Sequence, residues 1–142
     1  MNETKKANVV VIDDDPMDIR MLRTALELKG NYIVHEAADA AEGFKKAHEC
    51  HPEVILMDIQ MSGMDGLSVI WIIKSESSVK NIPIVAVSAN AMDGAEQEAL
   101  AAGCSGYITK PIDVRNFVDT MEQFMWVAVS DLIANQTGKE TG

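Results

Sequence analysis

The sequence predicts an α/β protein in which one parallel sheet is covered by helices on both faces. Two observations carry this. Short β-branched apolar runs alternate with longer segments of helical periodicity, the pattern of strands buried on both faces by crossover helices. Asp or Gly residues stand at the junctions, where helices start and stop. About five such β/α units follow one another, with no internal repeat, no low-complexity tract and no linker before about residue 128.

Val9 to Ile12, Val54 to Met57 and Ile82 to Val87 are continuously apolar. Strands of that kind have no wet face and are expected at the centre of the sheet. Tyr32 to Glu36 and Gly106 to Thr109 are more mixed and are expected nearer its edges. The first helix is expected to start at Pro16, capped by Asp15, because proline lacks the N–H that position N1 cannot satisfy. Its buried stripe is Ile19, Leu22 and Leu26, and Gly30 stops it. Asp39 with Glu42, and Asp93 with Glu96, have the spacing of a capping box. Asp65 and Asp113 are placed to cap the helices that follow them, and Gly103 to stop one. The last helix is expected to bury Val114, Phe117, Val118, Met121 and Phe124.

The 142 residues are about one domain, long enough to bury roughly two-thirds of the surface an unfolded chain exposes. We expect a tail over residues 1–7, a folded domain over 8–128 and a polar extension over 129–142. The composition, 47% hydrophobic and 24% charged, is that of a chain that folds. A formal net charge of −10 disfavours direct binding to nucleic acid, which needs clustered Lys and Arg. Cys50 and Cys104 lie far apart without metal-ligand spacing and read as reduced thiols. No apolar stretch approaches the roughly 18 to 20 residues that span a bilayer, so no membrane insertion is expected, and the expected location is cytoplasmic.

In an open parallel sheet, ligands bind beyond the carboxyl ends of the strands. After the first strand come Asp13, Asp14 and Asp15; after the third, Asp58; after the fourth, Ser88; after the fifth, Lys110. Singly, each has an ordinary explanation: a cap, a turn residue, a satisfied hydroxyl, a solvated ammonium. Jointly they converge on one rim from distant parts of the chain. Carboxylates packed this closely raise one another's pKa unless a cation compensates. Hard oxygen donors with room for water favour Mg²⁺, which takes one or two carboxylates and bridges to phosphate oxygens.

With "VIDDDP", "LMDIQMSGMDG", "VSANAM" and "YITKPI" in this order, the chain resembles the receiver domain of two-component response regulators from about Asn8 to Met125. The resemblance implies a doubly wound five-stranded sheet of flavodoxin-like order 2-1-3-4-5. It makes Asp58 the phosphoacceptor, loaded from a histidine of a sensor kinase or a histidine phosphotransfer protein. Mg²⁺ would be held by Asp14, Asp58 and the backbone carbonyl of Gln60, with Asp13 acting through water. Lys110 and Ser88 would bind the phosphoryl oxygens, Tyr107 would be the aromatic switch that follows Ser88, and the Lys110–Pro111 bond would be cis. One departure is Ser62, where the family usually has Pro; it bears on the rigidity of that loop and not on its chemistry. The implied protein is a signalling switch, an enzyme only in promoting its own phosphorylation and dephosphorylation. Fewer than 20 residues follow the last helix, so output is expected through a downstream protein effector unless the chain is a fragment.

Two rivals share parts of this pattern. A Mg²⁺-dependent phosphohydrolase of the haloacid dehalogenase type places a second Asp two residues after its nucleophile; here that position is Gln60, which cannot act as a general acid or base. A pseudo-receiver that binds partners without phosphorylation predicts the loss of a rim group, and none is lost. Asn90 and Gln60 flank the expected phosphate and are expected to set its lifetime. His48 and His51 read as solvated imidazoles. Trp71 lies in a segment apolar over more of its circumference than one sheet face requires; the excess is expected to meet a partner helix or the "MWVAVSDLIA" extension.

Overall fold

The structure, a computed structural model, describes residues 6–61 and 65–125. The elements alternate: β1 (Ala7–Ile12), α1 (Pro16–Lys29), β2 (Tyr32–Ala37), α2 (Ala40–Cys50), β3 (Val54–Met57), α3 (Gly66–Ser75), β4 (Ile84–Ser88), α4 (Ala95–Ala102) and β5 (Gly106–Thr109). A last helix, α5, is described over 117–125. Every strand pairing is parallel and the order is β2-β1-β3-β4-β5, as expected. The continuously apolar runs are the three central strands, and β2 and β5 lie at the edges.

Alternating side chains along each strand enter two separate cores. Val9, Val11, Leu56, Val85 and Val87 pack with Leu22 and Leu26 of α1 and Phe117 and Met121 of α5. Val10, Ile12, Ile55, Met57, Ile84 and Ala86 pack on the opposite face with Ala47 of α2, Ile70 and Ile73 of α3 and Ala99 of α4. Full burial of one such aliphatic side chain contributes about 1.5–3 kcal/mol, so a strand buried on both faces is strongly fixed in register.

Most caps fall where expected. Asp15, Asp39, Asp65 and Asp113 accept backbone N–H groups of Met17, Glu42, Leu67 and Arg115 at 2.9, 2.8, 3.2 and 3.1 Å. Glu42 reaches back to the Ala38 N–H, completing a capping box displaced by one residue. Gly30 and Gly103 close α1 and α4 at φ 87° and 124°. Three expectations fail. Asp93 does not cap α4: Gly94 at φ 90° is its N-cap and gives it no side-chain cap, while Asn90 caps the preceding turn through the Met92 N–H. β4 starts at Ile84 rather than Ile82, because Pro83 has no N–H to donate to the ladder. Val114 lies in a turn before α5 rather than in it, though it packs against the same core.

His48 is tied down locally, its Nδ1 3.0 Å from the Phe44 carbonyl and its ring 4.4 Å from the Phe44 ring. His51 closes α2 at φ 45°. Trp71 is 66% exposed on α3. Ser62 and the extension after Met125 lie outside the described residues. Among the described residues, no helix is long and apolar enough to cross a membrane.

Candidate functional site

The register brings the site together. Ile12 pairs with Met57, Met57 with Ala86, and Ser88 with Thr109, so the central strands end near one level. Backbone bonds carry the alignment one residue further: Asp13 N–H to the Ala37 carbonyl at 3.0 Å, Asp58 N–H to Ile12 at 2.9 Å, and Lys110 N–H to Ser88 at 2.8 Å. Asp13, Asp58, Ser88 and Lys110 therefore leave the sheet from adjacent strand ends, with backbones fixed by the ladder.

Asp13 and Asp58 are 1% and 7% exposed, and each is held in the same way. One carboxylate oxygen accepts a local N–H: Asp13 Oδ1 from Asp15 at 2.9 Å, Asp58 Oδ1 from Gln60 at 2.8 Å. The other oxygen of each faces Lys110 Nζ at 3.1 Å. The third ammonium donor goes to Asp18 Oδ2, at 2.7 Å the shortest of the three contacts. Ligand oxygens of Asp13, Asp14 and Asp58 lie within 4.8 Å of one another. Burial pushes the Asp13 carboxyl up, against the Asp15 N–H and Lys110. Burial pulls the Lys110 ammonium down, but its hydrogen bonds to Asp18, Asp13 and Asp58 outweigh that and move it up overall.

Asp13, Asp18 and Asp58 face the Lys110 ammonium and Asp14 lies beside two of them, so the carboxylates of the cluster outnumber the ammonium they contact. A divalent cation with a preference for hard oxygen donors fits this set, and a soft metal does not, since the donors of the cluster are all carboxylates.

Ser88 is fully buried at the end of β4. Its hydroxyl donates to Gln60 Oε1 at 2.9 Å and accepts the Asn90 N–H at 3.1 Å. Tyr107 on β5 is half-buried, and its O–H donates to the Asn90 carbonyl at 2.5 Å. Gln60, Ser88, Asn90 and Tyr107 thus form a chain of contacts from the Asp58 loop across β4 to β5. The Lys110–Pro111 peptide is cis.

Two contacts go beyond the sequence reading. Asp18 was readable as a first-turn acid of α1, five residues after Asp13. First-turn side chains stand beside the strand end that precedes them, and that was the available signal. The side chain of Gln60 as the partner of Ser88 had no signal, because it depends on a rotamer and a loop path.

The comparisons agree with this geometry. The sequence matches the response regulator receiver domain over residues 9–122. It is 34% identical over 118 residues to the polar-differentiation response regulator DivK of Brucella ovis, covering 83% of this chain and 95% of that protein. The DivK of Brucella anthropi is 33% identical over the same span. Among solved structures, the chemotaxis protein CheY4 of Vibrio cholerae superimposes with a TM-score of 0.77 at 28% identity, covering 84% of this chain and 98% of that one. The receiver domain of a sensor histidine kinase from Pseudomonas aeruginosa, which has a magnesium ion coordinated in its active-site cleft, gives 0.75 at 25% identity, covering 84% and 98%. Sheet order, converging strand ends and sequence match together place this chain in the response regulator receiver domain family.

Proposed function

We propose that Asp58 accepts a phosphoryl group from a phosphohistidine of a sensor kinase or histidine phosphotransfer protein, and that Mg²⁺ assists at the acidic cluster. The observation that supports this most directly is the meeting of Asp13, Asp58 and Lys110 along one edge of the sheet, at the ends of β1, β3 and β5. In the transfer, the P–N bond of the donor imidazole breaks as a bond from an Asp58 oxygen to phosphorus forms, and the imidazole departs. Asp58 is positioned for attack by the Gln60 N–H and Lys110. Phosphoryl transfer depends chiefly on such positioning and on stabilising charge at the equatorial oxygens. Asp14, Asp58 and the Gln60 carbonyl, with Asp13 acting through water, would hold Mg²⁺, which would supply positive charge to the phosphoryl oxygens.

The loaded carboxyl carries close to two negative charges. Lys110 is already within reach, whereas Ser88 has to leave Gln60 to donate to the phosphoryl group. That movement pulls on the loop after β4, where the Asn90 N–H rests on Ser88 and the Asn90 carbonyl holds Tyr107. Phosphorylation thus selects one arrangement of the loops after β4 and β5 and the helix faces they carry. A downstream protein effector reads that arrangement. The protein promotes its own phosphorylation and dephosphorylation but turns over no separate substrate, works in the cytoplasm, and uses residues 8–128 as the receiver between a tail at 1–7 and an extension at 129–142. Gln60 in place of a second acid argues against a phosphohydrolase, and an intact set of rim groups against a pseudo-receiver.

Incubation with a small acyl-phosphate donor and Mg²⁺, followed by intact-mass measurement, tests the assignment. One added phosphoryl group, lost in Asp58→Asn, is expected. An unchanged mass in the wild-type chain overturns it.

A further inference from the structure

An ammonium has three N–H donors, and in the resting chain Lys110 has all three engaged: Asp13 at 3.1 Å, Asp58 at 3.1 Å and Asp18 at 2.7 Å. Asp13 and Asp58 are buried and fixed at strand ends. Asp18 differs from them in three ways. It comes from α1 and not from the sheet, its side chain is 23% exposed, and it makes the shortest contact. Nothing in its helix requires that contact, because the start of α1 is already capped by Asp15. The carboxylate reaches across 92 residues of sequence to the Lys110 ammonium.

We infer that Asp18 is a positioning residue for Lys110: in the resting state it holds the ammonium and competes for it with an incoming phosphoryl group. The inference rests on the proposed function above, since it needs an anion to arrive on Asp58. Its physical content is a sign. The Asp18 charge adds to the negative potential of the pocket and so favours a divalent cation. It also repels the phosphoryl group and occupies one of the donors that group would use. A single carboxylate therefore acts in opposite directions on the two ligands of one site, favouring a metal-bound but unloaded state. Coulomb attraction and repulsion at such short range in a partly buried pocket amount to about a threefold to tenfold change in each affinity.

The test uses the full chain, its Asp18→Asn and Asp18→Ala variants, and two titrations by calorimetry: Mg²⁺ alone, then beryllofluoride at saturating Mg²⁺. Both variants are expected to bind Mg²⁺ about threefold to tenfold more weakly and beryllofluoride about threefold to tenfold more tightly than wild type. Asp18→Glu, which keeps the charge, is expected to retain the wild-type Mg²⁺ affinity. Loss of local structure weakens both ligands together, so opposite shifts separate the two cases. If the neutral variants weaken both ligands or change neither, the role of Asp18 is overturned and the proposed function stands. If the wild-type chain binds neither Mg²⁺ nor beryllofluoride, it is the proposed function that fails.

Discussion

Gly66 is the position at which one methyl group is expected to separate stability from function. It opens α3 directly after the Asp65 cap, and a Cβ built there falls 2.5 Å from the Cα of Ile59 and 2.6 Å from its carbonyl oxygen. Ordinary contact begins at 3.4 Å, so the Ile59 backbone, or the start of α3, has to move by about 1 Å. Ile59 sits between Asp58 and the Gln60 N–H that orients it. Gly66→Ala gains up to about 1 kcal/mol of helix propensity, less at a first turn, and overpacking costs about 1–3 kcal/mol. The net loss of about 0–3 kcal/mol leaves the domain folded. A 1 Å misplacement of a reacting group, by contrast, can cost on the order of 100-fold in rate. Acceptance of a phosphoryl group from a small acyl-phosphate donor, followed by mass, is therefore expected to fall far more than stability does. Gly30→Ala is the control: its φ of 87° strains an alanine, but nothing lies within 4 Å of the new Cβ, so it is expected to lose stability without losing rate. A Gly66→Ala chain that loads as fast as wild type and keeps its Mg²⁺ affinity refutes the reasoning.

Three further outcomes follow from the same contacts. Burial raises the Asp13 carboxyl above its ordinary 3.8, so the stability linked to its protonation is present below that value and lost as pH rises through the raised one; Asp13→Asn is expected to melt higher than wild type at pH 7 without metal, with the difference closing in acid, and thermal melts across pH check it. Gln60→Ala keeps the backbone carbonyl but deprives the Ser88 hydroxyl of its acceptor; a lost bond of about 1 kcal/mol in the resting state is expected to appear as a severalfold gain in beryllofluoride affinity, and a weaker affinity counts against the Ser88 movement. Cys104 is buried, with its thiol pushed up to about 12, and Cys50 is half-buried; iodoacetamide at neutral pH is expected to label Cys50 first, with Cys104 following only on unfolding, as peptide mapping would show.

What the sequence disclosed was whatever depends on strand ends. Three apolar runs, each followed by an acid or a hydroxyl, place Asp13, Asp58 and Ser88 without any knowledge of loops, because a parallel sheet puts every carboxyl end on one edge. Lys110 follows from the same rule applied to an edge strand. The errors arose where a loop chose its own path. Asp93 has the spacing of a cap, yet the left-handed Gly94 starts α4 one residue later than that spacing implies. Ile82 reads as strand, and Pro83 interrupts the ladder. The Lys110 contact of Asp18, hinted at only by its place in the first turn of α1, and the Gln60 amide as the partner of Ser88 were harder to read for a related reason. Their partners are other side chains, far apart in sequence, and no periodicity reports which rotamers meet.

On the proposed function, these side-chain contacts are what would make the pocket a switch and not simply a binding site. In the resting chain each group that would grip a phosphoryl oxygen already has an internal partner: Lys110 its carboxylates, Ser88 the Gln60 amide. Among the described residues no buried polar side-chain atom is left unsatisfied, so the resting state is a closed set of bonds and not a vacant cradle. Each partner lowers the affinity for the phosphoryl group by the strength of the bond that must be given up. Each also ensures that binding changes the geometry, because a group leaving one partner for another has to move. A pocket with Lys110 and Ser88 free would bind more tightly and signal less, since nothing beyond the pocket would differ between its empty and loaded states. The Ser88–Asn90–Tyr107 contacts run from the end of β4 to β5 and, on the proposed function, would carry that difference. If Asp58 is the acceptor as proposed, the sensitivity of the switch would be set less by that aspartate than by Asp18 and Gln60, whose resting contacts compete with its product.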